Sequence, residues 1–226
     1  MKLKVLGSSS AGNCYLLEND TECLVIEAGL PFMEIKKALD FNVRKIVGVV
    51  VSHSHGDHAK YAAEYEKAGI SVFQLYEISD EMQIRKYGNF IITAFPLVHD
   101  VPCHGFYIFH DDFGKLIYAT DTEYIKWRFK NINHILVEAN YSDDLIDNEA
   151  SNREHILRGH MSLQTALDFI STNDNPGLRT VCLIHLSNVN SDREQFLQKT
   201  KEILKYGADV YVAEKGLEVD LNLLPF

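Results

Sequence analysis

The order of strands and helices along the chain predicts an α/β protein, a four-layer αββα sandwich of two facing β-sheets with helices outside. Three observations carry this. Short apolar runs such as Ile46-Val47-Gly48-Val49-Val50-Val51 read as strands buried on both faces. Such runs recur in two halves of the chain, interleaved with helical segments. The 226 residues show no internal repeat and no low-complexity tract, so one well-cored domain spanning 1–226 is expected.

Leu3 to Leu6 and Cys14 to Leu17 read as strands around the small, polar loop Gly7-Ser8-Ser9-Ser10-Ala11-Gly12-Asn13. That loop is a plain turn on residue types, with the further option of offering backbone N–H groups to an anion. Cys23 to Gly29 is a strand ending in a turn, and Pro31 to Leu39 a helix with proline in its first turn. Ile46 to Val51 is a strand, Ala59 to Lys67 a helix, Ser71 to Gln74 a strand, and Ile78 to Tyr87 a helix. Phe90 to Leu97 is a strand; Phe106 to Phe109 and Leu116 to Ala119 form a hairpin. His134 to Glu138 is a strand, and Ser162 to Ser171 an amphipathic helix N-capped by Ser162. Asn173 to Gly177 is a turn, Val181 to Leu186 a strand, Asp192 to Tyr206 a helix, and two short strands follow. Tyr124 to Lys130, with alternating aromatics and cations, reads first as core aromatics with solvated charges and second as a base-stacking surface.

The formal net charge of −10 excludes indiscriminate binding to nucleic acid and argues mildly for a small substrate. A nucleic-acid substrate would require positive potential gathered at one cleft. No apolar run is long enough to span a membrane, and the first residues are too short and strand-like for a signal peptide. Cys14, Cys23, Cys103 and Cys182 form no C-x-x-C pair. They read as reduced, buried thiols of a cytoplasmic protein.

The chemistry gathers in Ser52-His53-Ser54-His55-Gly56-Asp57-His58, on a strand-to-helix turn. Side chains alternate along extended backbone, so His53 and His55 point the same way and can share one metal ion. Asp57 and His58 follow Gly56, where the chain can turn, and can face a second ion. Neutral imidazole with carboxylate suits zinc, manganese or iron. The bland alternative is a histidine-rich surface turn. Further along, His99, Asp121 and His185 each end an apolar strand, and Glu138 ends another. Arg158-Gly159-His160-Met161-Ser162 opens a helix. A glutamate that orients a histidine would raise its pKa and supply a general acid; an ordinary capping-region histidine is the equal alternative on chemistry alone. His104, His110, His134 and His155 read as non-ligands.

His53-x-His55-x-Asp57-His58 resembles the signature of the metallo-β-lactamase fold superfamily. The resemblance implies two divalent metal ions, zinc or manganese. One would be held by His53, His55 and His99, the other by Asp57, His58 and His185, with Asp121 bridging. Glu138, Gly159-His160-x-Ser162 and Leu183-Ile184-His185-Leu186-Ser187 are similar to the phosphodiesterase branch, including RNase Z. Adding Gly7-Ser8-Ser9-Ser10-x-Gly12-Asn13, Thr120-Asp121-Thr122, Glu138-x-Asn140 and the asparagines Asn188 and Asn190, the chain most resembles the YycJ/WalJ (VicX) family. That implies an uncapped metal-dependent hydrolase, a phosphodiesterase or nuclease and most likely a DNA exonuclease, using metal-bound hydroxide as nucleophile. Asp57, His160 and Glu138 would be catalytic, with His160 protonating the leaving oxygen; Asn13, Ser162, Ser187 and Asn188 are candidate substrate contacts. DNA is expected over RNA as substrate, with no membrane partner. Alternatives keep the fold and change the substrate, to a small cyclic phosphodiester, a lactone or a thioester, or dispense with turnover altogether. Three departures stand out: Glu27 where the superfamily usually has aspartate, Val189 interrupting an asparagine pair, and the acids Asp143, Asp144, Asp147 and Glu149 before His160.

Overall fold

Two sheets stack face to face, and their strand ends define where the chemistry lies. The computed structural model describes residues 1–78, 82–146 and 153–223. The first sheet contains β1 (Lys2–Gly7), β2 (Cys14–Glu18), β3 (Cys23–Ile26), β4 (Ile46–Val51), β5 (Val72–Gln74) and, from near the chain's end, β13 (Glu218–Asp220). Its order is β13-β1-β2-β3-β4-β5. The second contains β6 (Gln83–Tyr87), β7 (Phe90–Leu97), β8 (Cys103–His110), β9 (Gly114–Ala119), β10 (His134–Glu138), β11 (Thr180–Ile184) and β12 (Asp209–Val212), in the order β12-β11-β10-β9-β8-β7-β6.

The layers follow from which face each apolar residue takes. Leu3, Val5, Leu24, Ile26 and Val50 of the first sheet meet Ile92, Phe106, Leu116, Tyr118 and Leu136 of the second in the central core. The alternate residues Leu16, Val25, Val49 and Val51 turn outward against α1 (Phe32–Ala38) and α3 (Ala62–Lys67), through Phe32, Ile35 and Tyr65. On the other side Ile117, Ile135, Val137 and Leu183 meet α5 (Leu163–Asn173) and α6 (Arg193–Ile203). Central strands are therefore apolar on both faces, which explains their unbroken apolar runs. The expected αββα sandwich is the observed fold.

Parallel pairing then gathers the strand ends. β3 pairs parallel with β4, and β9, β10 and β11 pair parallel with one another. β7 and β9 both run antiparallel to β8, so β7 shares their direction. The C-terminal ends of these strands emerge at one rim of their sheet. His104 N–H donates to Ser52 O across 3.0 Å and ties that rim of the second sheet to the end of β4.

Two elements differ from expectation. The helix expected over Ile78 to Tyr87 is a strand, β6, from Gln83; residues 79–81 lie outside those described. β6 pairs with β7 from Gln83↔Ala94 to Tyr87↔Phe90, closing a two-residue hairpin at Gly88-Asn89 with Gly88 at φ +55°. As an exposed edge strand it lacks the alternating burial that marks a strand in sequence. The helix expected over Ala59 to Lys67 is split into one turn, α2 (Gly56–Ala59), and α3. Tyr61 N–H donates to Ala28 O instead of continuing the helical ladder. Tyr124 to Lys130 is irregular, with Ile125 and Phe129 packed on the core and Tyr124 and Trp127 exposed. The segment before His160 holds an additional helix, α4 (Arg153–Gly159); Asp143 and Asp144 are exposed, while Asp147 and Glu149 lie outside the described residues. All four cysteines are free and buried, and burial pushes the thiols of Cys14, Cys23, Cys103 and Cys182 up.

Candidate metal centre

Beyond β4 the chain bends at Ser54-His55 and enters α2, so Asp57 and His58 project from a helical turn. Gly56 is not what makes this turn: a Cβ there would meet nothing within 4 Å. The glycine that matters is Gly29, where a Cβ would stand 1.8 Å from Asp57 O. Around it Asn13 N–H donates to Asp57 O (2.8 Å) and Gly29 N–H to Asn13 O (3.0 Å), clamping the Gly7–Asn13 loop and the β3 turn onto the metal-type turn.

The described residues bring together four overlapping sets of ligand-type atoms, each within 4.8 Å: His53, His55 and His99; His53, His58 and Asp121; Asp57, His58 and His185; and Asp121, Glu138, His160 and His185. The rings of His53, His55 and His99 lie 4.7 to 5.0 Å apart by centroid. Asp121 belongs to two of the sets. Its Oδ2 is 3.1 Å from His58 Nε2 and 3.4 Å from His185 Nδ1. His104, His110 and His134 join none of them; His110 bonds Glu22 and His134 bonds Phe113 O, while the side chain of His155 is outside the description.

Three of the residues here have left-handed backbone: Glu27 (φ 67°), Asp121 (φ 49°) and His185 (φ 54°). Glu27 and His185 directly follow β3 and β11, and Asp121 follows β9 by one residue. A non-glycine residue held there costs about 1–3 kcal/mol, so surrounding contacts must hold each one. For His185 those contacts are visible: its N–H donates to Ser8 Oγ (2.9 Å) and its carbonyl accepts from Asn140 Nδ2 (2.9 Å). Asn140 was quoted in the sequence only as part of a motif, and this hold on the His185 turn is its structural use.

Glu138 is fully buried and every oxygen is engaged. Oε1 lies 2.7 Å from His160 Nδ1 and 3.0 Å from His185 Nδ1, while Oε2 accepts from Thr122 N–H (3.2 Å) and Met161 N–H (3.1 Å). Burial pushes the Glu138 carboxyl up, but the His160 and His185 partners outweigh it and leave it below its ordinary value. Burial depresses His160, and the charge and hydrogen bond of Glu138, aided by Asp121, overcome this and raise it. The His160 ring stands 5.5 Å from that of His185.

The two halves of the centre differ electrostatically. Burial, then repulsion from His58, lowers His53 to about 2, and burial lowers His99. His58 and His185 are also buried, but Asp121 with Glu27 raises the first and Asp121, Asp57 and Glu138 raise the second to about 10. Asp57 and Asp121 are held below the usual carboxylate range, burial notwithstanding, by His185 and His58.

The other expected contacts divide. Asn13 is 0 % exposed, and its Nδ2 reaches Asp57 Oδ2 at 3.2 Å and His58 Nε2 at 3.0 Å. Its buried amide is thus turned toward two of the ligand-type side chains. Ser162 is the N-cap of α5, accepting from Thr165 N–H at 3.1 Å, and is likewise buried. Ser187 and Asn188 lie at the surface beyond His185, lining a cavity. Glu27, buried, accepts from Ser52 N–H at 3.3 Å and lies 3.5 Å from His58 Nδ1. Asp100, which no strand end or motif marks, also reaches the cluster. Its half-exposed carboxylate sits 3.1 Å from His99 Nε2 and 3.5 Å from His55 Nε2, on the solvent side.

The donor set fits divalent metal. His53 Nδ1 is committed to Ser52 Oγ (2.8 Å), while His53 Nε2 is buried with no hydrogen-bond partner among the described residues. His185 Nε2 makes no close hydrogen bond either, with Asp57 Oδ2 3.4 Å away. A buried imidazole nitrogen left in this way is costly unless something coordinates it.

Fold and site together define a hydrolase of the metallo-β-lactamase fold, and the sequence model of the metallo-β-lactamase superfamily matches residues 9–72. Among its relatives, the chain is 24% identical to the exodeoxyribonuclease YycJ of Bacillus anthracis over 239 residues, covering 91% of this chain and 89% of that protein. The fold resembles the metallo-β-lactamase fold protein YhfI of Bacillus subtilis, with TM-score 0.69 and 18% identity over 96% of this chain and 98% of the other. It also resembles the short form of human tRNase Z, with TM-score 0.65 and 17% identity over 98% of this chain and 99% of the other. Among the described residues no helix is long and apolar enough to cross a membrane.

Proposed function

We propose that this protein is a dinuclear metal-dependent phosphodiesterase acting on nucleic acid, with DNA its first substrate and exonucleolytic cleavage its mode. The observation that carries the reading is the Glu138–His160 pair, 2.7 Å apart and 3.5 Å from Asp121. A phosphodiester expels an alkoxide, and a protonated His160 held by Glu138 can supply the proton that this leaving group needs. The relatives named exodeoxyribonuclease support DNA, and the net charge of −10 requires the attraction to be local to the cations.

Two zinc or manganese ions in this cluster would supply Lewis acidity and an activated water. His53, His55 and His99 would hold one and Asp57, His58 and His185 the other, with Asp121 between them. Glu138 orients His160 through Nδ1 and favours its protonated form, so the ring can give a proton to the leaving oxygen. Ser187 and Asn188 stand where they can touch substrate.

The test uses protein loaded with zinc or with manganese, given 5′-phosphorylated duplex DNA, single-stranded DNA, RNA and an aryl phosphodiester. Stepwise loss of nucleotides from DNA, abolished by chelation, is expected. Turnover of the aryl or a cyclic diester with no turnover of nucleic acid would replace the reading by a small-phosphodiester hydrolase.

A further inference from the structure

A cavity of about 500 Å³ opens beside His185. Its walls come from the Gly7–Gly12 loop, from Leu186, Ser187, Asn188 and Ser191, and from Val212 to Lys215. The cavity meets the centre through the His185 backbone: Ser8 lines the cavity, and its hydroxyl accepts from His185 N–H at 2.9 Å and from Tyr15 OH at 2.8 Å. At its other end the same loop passes into Asn13, which touches Asp57 and His58.

The character of the cavity selects what it can take. Leu6, Leu30 and Leu186 offer apolar surface, while Ser9, Ser187 and Asn188 offer hydroxyl and amide groups. Each cation at the rim faces a carboxylate: Arg193 bonds Glu214, and Lys215 lies 4.0 Å from Glu34. A rim balanced in this way gives little to a second phosphate. It suits a neutral, flat, hydrogen-bonding group with an apolar face, and the volume falls within the roughly 300–1,000 Å³ range of small-ligand sites.

We propose that this cavity is a nucleoside subsite, seating the base and sugar joined to the phosphate being cleaved. The assignment rests on the nucleic-acid reading above and adds where the substrate's neutral part lies. It gives the Gly-Ser-Ser-Ser loop a use that turn geometry alone does not require. It also explains how a chain of such negative charge holds DNA: the phosphate goes to the metal ions, and the nucleoside goes to a surface whose own cations lie against carboxylates.

Two measurements test it. In the first, NMR of the metal-loaded protein is followed during separate titrations with thymidine and with inorganic phosphate. Thymidine should saturably shift the amides of Ala11, Ser187 and Ala213, and phosphate should leave these three unmoved. In the second, Ala11→Trp, a change at an exposed position of the cavity wall, is compared on oligonucleotide and on bis(p-nitrophenyl) phosphate. Its kcat/KM for the oligonucleotide should fall about tenfold or more relative to the aryl diester. DNA cleavage with no thymidine shifts and an unchanged ratio would overturn the subsite and leave the nuclease standing. Thymidine shifts at the three amides with no cleavage of any nucleic acid would overturn the nuclease and leave only a nucleoside-binding cavity.

Discussion

Glu138 and His160 form a closed pair, Oε1 to Nδ1 at 2.7 Å, with the glutamate fully buried. The backbone N–H groups of Thr122 and Met161 fix the other oxygen, so the carboxylate cannot rotate away. One end of the pair is thus part of the core, and the other faces the ligand cluster.

A proton donor tuned by its partner gives a defined pH response. His160→Ala should lower kcat on a DNA substrate by about 10²–10⁴-fold, the usual worth of a placed acid. Activity of the intact enzyme should fall on the alkaline side as His160 loses its proton. Glu138→Gln removes the charge that raises His160. That limb should therefore move to lower pH, read from kcat profiles of the two proteins. An unmoved limb would show that His160 is not the acid.

The two halves of the centre should part company as pH falls. His53 and His99 are depressed by burial, so they are already neutral and ready to coordinate near neutrality. His58 and His185 are raised by the carboxylates around them, His185 to about 10, so metal must displace protons there. Acidification should empty the Asp57, His58 and His185 side first. Metal counted after equilibrium dialysis between pH 7.5 and 5.5 should pass through a plateau at one ion. Calorimetry in buffers of different ionisation enthalpy should show proton release mainly with the more weakly held ion. Simultaneous loss of both ions would contradict this.

Glu27 reaches Ser52 N–H and the neighbourhood of His58 from a left-handed residue, a geometry fitted to the glutamate length. Glu27→Asp withdraws the carboxylate from His58 Nδ1 without removing its charge. Affinity for the more weakly held ion should fall about 10–100-fold, the range seen when a partner of a metal ligand is lost, with the other ion little changed. Chelator competition with zinc measures both. Equal weakening of both ions, or of neither, would assign Glu27 to folding alone.

What the sequence disclosed depended on whether the cause was local. His53 and His55 could be paired because alternation is a property of extended backbone itself. His99, Asp121 and His185 could be placed because each closes an apolar run, and parallel strands bring such ends to one rim. The left-handed backbone at Glu27, Asp121 and His185 could not be read, since no glycine marks it and the hold on His185 comes from the remote Ser8 and Asn140. The contact of Asn13 with Asp57 and His58 was not legible either, because it depends on Gly29 letting the loop press against Asp57. β6 was misjudged for want of burial alternation, although Gly88-Asn89 between Tyr87 and Phe90 is a hairpin signal that was open to reading.

At the rim opposite the metal centre, Glu22 ties three elements together. Its carboxylate accepts from Asn89 N–H (2.9 Å) and Asn89 Nδ2 (2.7 Å) at the β6–β7 turn, and lies 3.0 Å from His110 Nε2 at the end of β8. Glu22 itself sits between β2 and β3, so the network joins the two sheets. Burial pushes the carboxyl up, but the Asn89 and His110 bonds prevail and leave it below its ordinary value. A carboxyl held lower in the folded than in the unfolded chain stabilises fully above its unfolded pKa. That contribution disappears as pH falls through the lower folded value. Glu22→Gln should therefore cost about 1–3 kcal/mol at pH 7, where charge-assisted bonds are lost. The deficit should begin to shrink as pH falls through the ordinary glutamate value of about 4.3 and vanish only below the lower folded value. Urea unfolding of both proteins across this range gives the difference directly. A deficit that stays constant down to pH 3.5 would mean that shape, not charge, is what Glu22 contributes between the sheets.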